Sequence, residues 1–213
     1  MPVTSPKSGF VGKAGFDEVH VVKVLYWSLV AGTFVIGVTL WSWGQPLVSR
    51  SGEVRLWVNS IWSSENSQQV ADWYTLSHAM LGMLIAIIGR GFGRNIGYPA
   101  SLTLLLVIGV GWEIVEHTDW VLDRFRGQTI YQGYMGDTVL NAVCDYLFMV
   151  AGFFVGVALP LRWSIFLMVG LEVFSAVVAR DSLLLTTLRI VYPIQAISDW
   201  QDATNPVTHP PSP

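Results

Sequence analysis

The chain alternates long uncharged apolar runs with short polar connections, and run length is what decides the solvent. A helix that crosses a bilayer needs about 20 mostly apolar residues, because each residue rises about 1.5 Å through about 30 Å of hydrocarbon. Residues 24–43 are twenty positions without a charge, with Trp41 and Trp43 at their end as interfacial anchors. Four further spans are predicted over 70–89, 99–116, 137–160 and 163–180. The second admits Asp72 and His78, because its clean apolar part, 79–89, is too short to cross alone. Ionisable groups inside a span are costly and mostly face protein or a wet cavity.

Between the first two runs, Val54, Trp57, Val58, Ile61 and Trp62 recur at helical spacing with Arg55, Asn59 and Ser63 opposite. That pattern predicts an amphipathic helix lying at the membrane interface. Ser63 to Asn66 then offers cap chemistry for the following helix. A last apolar run, 183–197, is broken by Arg189 and Pro193 and reads as interfacial or re-entrant. The expected fold class is an all-α membrane protein: a bundle of about five transmembrane helices plus the interfacial helix. Its expected organisation is an N-terminal arm over 1–23, one transmembrane helical domain over 24–200 and a disordered Pro-rich tail over 201–213.

Composition agrees with this pattern. Of 213 residues, 52% are hydrophobic and 13% charged, and the net charge of −3 argues against nucleic acid as a partner. The lipid bilayer is the expected partner. The first run lacks a small-residue cleavage site and reads as a retained helix. The single cysteine, Cys144, permits no intramolecular disulfide. Lys and Arg divide six and six between alternate loops, so orientation rests on Lys7, Lys13 and Lys23 before the first run, which favour a cytoplasmic N-terminus.

Tracing five spans in alternation sends the polar residues to one face whichever way the chain is oriented. Asp72 and His78 begin the second helix and Glu113 and Glu116 end the third. Asp137, Asn141 and Asp145 begin the fourth, and Arg180 with Asp181 ends the fifth. Glu113 and Glu116 are three apart, so both carboxylates point one way. The 137-141-145 steps drift only about 40° each, and Asp145 lies about 12 Å along the helix from Asp137. Asp72 and His78 face one site only if Asp72 lies in a non-helical entry. Glu172 is expected near mid-membrane. Carboxylates with an imidazole suit a divalent metal, and a mixed oxygen and nitrogen donor set permits Zn, Mn or Mg. The candidate metal ligands are His78, Glu113, Glu116, Asp137 and Asp145, supported by Asp72, Asn141, Arg124, Arg180 and Asp181. A structural reading stands beside this one, in which Glu113 and Glu116 pair with Arg124 or Arg126 and the 137-141-145 stripe is a helix contact. Gly152 and Gly156 form a small-xxx-small pair of the kind used for close helix packing. There is no HExxH, GxSxG, P-loop or CxxCH motif.

Four stretches, SSENSQQVADWYTLSH before and including His78, WEIVEHTDWVLDRFR (112–126), GDTVLNAVCDYLFMVAGF (136–153) and ARDSLLLTTLRIVYPIQAISDWQ (179–201), resemble a family of uncharacterised bacterial inner-membrane proteins that carries a domain-of-unknown-function label. The resemblance covers roughly 56–201 and implies an inner-membrane, multi-pass location without assigning an activity. More distantly, Asp72, His78, Glu113, Glu116, Asp137 and Asn141 are similar to the polar pattern of VanZ-like membrane proteins. Two functions remain open: a metal-dependent site for a lipid-linked or phosphorylated substrate, or an accessory subunit of a respiratory or photosynthetic membrane complex.

Overall fold

The computed structural model describes residues 18–91, 98–128, 134–206 and 208. The expectations for most of the N-terminal arm, for Arg94 and the rest of its glycine-rich turn, and for the end of the Pro-rich tail lie outside these residues. Among the described residues there are eight α-helices and no strand. They are α1 (Glu18–Ser42), α2 (Trp73–Gly91), α3 (Tyr98–Glu116), α4 (Asp119–Gln128), α5 (Val139–Ala158), α6 (Leu161–Val178), α7 (Leu183–Val191) and α8 (Gln195–Asp202).

Among the described residues, three helices are long and apolar enough to cross a membrane, at Leu25–Ser42, Val139–Ala158 and Leu161–Val178. A fourth results if α3 and α4, bent by 66°, count as one broken span. That is fewer than the five expected. The difference lies mainly in α2, which carries Thr75, Ser77 and His78 in its first half and Arg90 at its end. This helix sits at the centre of the bundle against α5, α6 and α3, so its polar side chains meet protein and not lipid. The outer helices show the opposite bias. Only 17% of the α1 span and 11% of the α6 span are buried, against 50% for α5, so α1 and α6 present broad apolar faces outward.

Small residues set the distance between α2 and α5. A Cβ on Gly82 would run into the Met149 carbonyl, and one on Gly152 into the Ala79 carbonyl. At Gly156 a Cβ would come within 2.8 Å of Ala86 Cβ, so the small-xxx-small pair does pack a helix. Around this contact Ile36, Leu40, Leu105, Tyr146, Met149 and Phe153 form a fully buried core.

The expected interfacial helix is not formed. Its backbone is instead tied across the connection, with Val58 N–H bonded to Ala71 O at 2.9 Å and Val70 N–H to Arg55 O at 3.1 Å. Val58 and Ile61 are buried, and Ile61 packs on Trp73 and Ala179, while Val54 and Leu56 are exposed. The helical spacing of the apolar positions was therefore a product of tertiary burial. Nor does Ser63 to Asn66 cap α2; it closes a turn through Asn66 N–H to Ser63 O at 3.0 Å. The cap is Asp72, whose carboxylate accepts from Tyr74 N–H at 2.8 Å and Thr75 N–H at 3.4 Å, while Thr75 Oγ1 accepts from Asp72 N–H at 3.0 Å.

The last apolar run becomes two short helices, α7 and α8, neither long enough to cross. Ser182 caps α7, accepting from Leu185 N–H at 3.3 Å. The chain is still helical at Gln201, which is fully buried and donates to Arg180 O at 2.7 Å.

Replacing Gly152 with Val should force α2 and α5 apart, an overpacking cost of about 1–3 kcal/mol. A melting temperature lower by about 2–10 °C is expected for the purified protein. The same change at Gly170 on α6, where nothing lies within 4 Å of the added carbon, should leave it unchanged. Equal melting of the two variants would contradict this packing.

Candidate metal centre

The tight α2–α5 contact and the end of α3 bring the acids and the imidazole together. His78 stands one turn into α2, Glu113 and Glu116 share a face of the last turn of α3, and Asp145 lies in the second turn of α5. His78, Glu113 and Glu116 each offer a donor atom, and these atoms all lie within 4.8 Å of one another. His78 Nδ1 is 3.2 Å from Glu113 Oε1, and His78 Nε2 is 3.9 Å from Asp145 Oδ2. Donors about 2.0–2.2 Å from a metal stand at most about 4.4 Å apart, so a small contraction would bring all three into coordination.

The burial and the missing partners are more telling than the distances. Glu113 is 0% exposed, and neither of its oxygens has a hydrogen-bond partner. His78 Nδ1, Glu116 Oε2 and Asp145 Oδ1 are likewise buried without one. The 3.2 Å approach of His78 to Glu113 lacks hydrogen-bond alignment, so it does not satisfy either group. Buried polar groups are nearly always bonded, and leaving a charged one unpaired costs several kcal/mol. A cavity of about 20 Å³ adjoins the cluster, lined in part by His78, Glu116, Asp137 and Asp145, which is room for about one water or ion.

Asp137 reaches this cavity but is engaged elsewhere. Its Oδ1 accepts from Tyr134 Oη at 2.5 Å, and its Oδ2 lies 3.6 Å from His117 Nε2. Burial, and then Asp137 itself, push the Tyr134 phenol well above its ordinary range, which keeps it a donor. His117 ties two helix ends together. Its Nε2 accepts from Asp137 N–H at 2.9 Å, which leaves Nδ1 as the protonated nitrogen donating to Glu113 O at 2.7 Å. One neutral tautomer thus joins the end of α3 to the entry of α5. Gly136, with φ +93°, makes the turn before Asp137, and a side chain there would press on His117 and Gln45. Sequence reading did not place His117 or Tyr134 in the site. Their signal was adjacency alone, one next to Glu116 and the other three residues before Asp137.

The supporting residues divide. Asp72 lies in a non-helical entry, as its alignment with His78 required, but it serves as a cap. It also accepts from Ser67 N–H at 2.6 Å, and although burial pushes its carboxyl up, its backbone donors oppose that. Asn141 donates to Gln69 O at 2.9 Å, a contact between the α5 entry and the connection before α2. Asp181 accepts from Tyr74 Oη and Thr186 Oγ1, both at 2.9 Å, and so fastens α7 to α2. Arg180 stacks on Trp200 at 5.1 Å. Glu172 accepts from Ser182 Oγ at 2.6 Å and Leu184 N–H at 3.0 Å, at the start of α7. Arg124 donates to Ile190 O at 2.8 Å, and Arg126 to Tyr134 O at 2.8 Å and Asp123 at 3.2 Å. Among the described contacts, neither arginine pairs with Glu113 or Glu116.

A family profile described as "Protein of unknown function (DUF2585)" matches residues 40–203. The chain is 40% identical to a UPF0314 protein of Novosphingobium aromaticivorans over 74% of its length and 82% of that protein. It is 35% identical to one of Paracoccus denitrificans (84% and 92% covered) and 36% identical to one of Sinorhizobium fredii (88% and 96% covered). No solved structure matches it. With a buried acid and imidazole cluster formed inside the matched region, the chain belongs to the DUF2585 (UPF0314) family of proteins of unknown function.

Proposed function

We propose that His78, Glu113 and Glu116 bind one divalent cation, with Asp145 and Asp137 beside it, and that the centre acts on a lipid-linked or phosphorylated substrate in the bacterial inner membrane. The observation that carries this is Glu113, fully buried with both carboxylate oxygens unpartnered and facing an unpartnered imidazole nitrogen. A cation offsets the cost of crowding carboxylates in a low-dielectric place. It would supply an activated water or a clamp on a phosphoryl oxygen. His117 and Tyr134 hold Asp137 at the edge of the cavity, where it can accept a proton from a group bound there. The distant similarity to VanZ-like proteins belongs to this proposal and rests on the polar positions alone. The cytoplasmic N-terminus also belongs to it, supported by Lys7, Lys13 and Lys23.

Purified protein should carry near-stoichiometric divalent metal by elemental analysis. Mn²⁺ at 100 times its dissociation constant should stabilise the fold by about 2.7 kcal/mol. The double change Glu113→Gln and Glu116→Gln keeps shape while removing charge, and should abolish both signals. A metal-free wild type whose stability ignores Mn²⁺ and matches that of the double amide would end the proposal. It would favour an accessory subunit of a larger membrane complex, with the cluster purely structural.

Orientation has its own test. A fluorescent reporter that matures only in the cytoplasm, fused before α1, should be bright, and a dark reporter in well-expressed protein would reverse the assignment.

A further inference from the structure

A second, larger cavity of about 290 Å³ opens beside the cluster, between α2, α3 and α7, and shares Tyr74, His78, Glu116 and Phe125 with the small one. Each helix lines it with a single stripe. On α2 the stripe runs from Tyr74 and His78 to Leu81, and on α3 from Glu116 through Trp112 back to Ile108. On α7 it is Leu183, Thr186, Thr187 and Ile190, at steps of three and four. Both long helices are therefore graded the same way, with donor groups at one end and aliphatic side chains about 12 Å away along α3. Such a cleft matches an amphiphile, with its head at His78 and Glu116 and its chain along Leu81 and Ile108.

Resting on the metal reading above, we propose that the substrate is a single-chain lipid phosphate whose chain occupies this cleft. The volume is roughly twice the ~150 Å³ that accommodates benzene, which sets the enclosed chain at about a dozen carbons. The charge of the site sets the head group. Carboxylates from α3 and α5 repel a free anion, so a phosphate is held there only through the bound cation. Inorganic phosphate shares that head chemistry but leaves the apolar walls unfilled. Its α7 wall is fixed in place by Tyr74 on Asp181 and Arg124 on Ile190 O.

The test uses the full chain in lipid nanodiscs with Mn²⁺ and a dodecyl phosphate that carries a diazirine at the end of its chain. After illumination, mass spectrometry should place the label on peptides containing Leu81, Ile108 and Ile190. Labelling should require Mn²⁺. Unlabelled dodecyl phosphate should compete at least about 100-fold better than inorganic phosphate, since burying methylene groups is favourable. Leu81→Trp narrows the cleft from α2, and Thr187→Trp does so from an exposed position on α7. Each should cut the label at least about five-fold while Mn²⁺ still raises the melting temperature. Label confined to the outer faces of α1 and α6, in protein that does bind Mn²⁺, overturns the inference and leaves the metal reading standing. Equal competition by inorganic phosphate overturns it too and makes free phosphate the ligand. Cleft labelling in protein that binds no Mn²⁺ overturns the metal reading instead, and with it the cation-held head group.

Discussion

The backbones of α2 and α5 touch at Ala79–Gly152 and Gly82–Met149, and the rest of the bundle is arranged around that contact. Because no side chain separates the two helices there, their register is fixed, and His78 arrives within 3.9 Å of Asp145. Tyr146, one residue beyond Asp145, fills the space beneath Gly109 of α3 and Gly32 of α1, where an added Cβ would stand 2.9 Å and 2.7 Å from its ring and hydroxyl. Glycines on two helices thus hold one fully buried aromatic of a third, and that seat aligns the end of α3 with the start of α5. The acid and imidazole cluster is a consequence of this helix packing.

Several polar groups near the centre are satisfied: Asp72 by backbone donors, Asp181 by Tyr74, Thr186 and Ser182, and His117 by the chain on either side of it. Glu113 differs from these: both of its carboxylate oxygens are buried without a partner, beside donor atoms of His78 and Glu116.

Part of this was readable from the sequence. Alternating helix ends correctly grouped His78, Glu113, Glu116 and Asp145, because direction along a helix and a spacing of three survive any detail of packing. The role of Asp72 hinged on whether it entered the helix, and the structure put it at the cap. The residues around 54–62 misled because burial of Val58 and Ile61 in an irregular connection imitates a helical period. The second predicted span falls short because α2 carries Thr75, Ser77, His78 and Arg90, and that helix packs against α5, α6 and α3. His117 went unplaced because a single histidine after a helix end has no periodic partner, and its two bonds join segments 20 residues apart in the chain.

The most direct measurement of the central claim is anomalous diffraction from crystals of the full chain grown with Mn²⁺. The account predicts one strong peak in the space enclosed by His78 Nδ1 and the carboxylates of Glu113 and Glu116, within about 2.0–2.3 Å of each donor. An ordered crystal with those three side chains resolved and no anomalous density between them would contradict it.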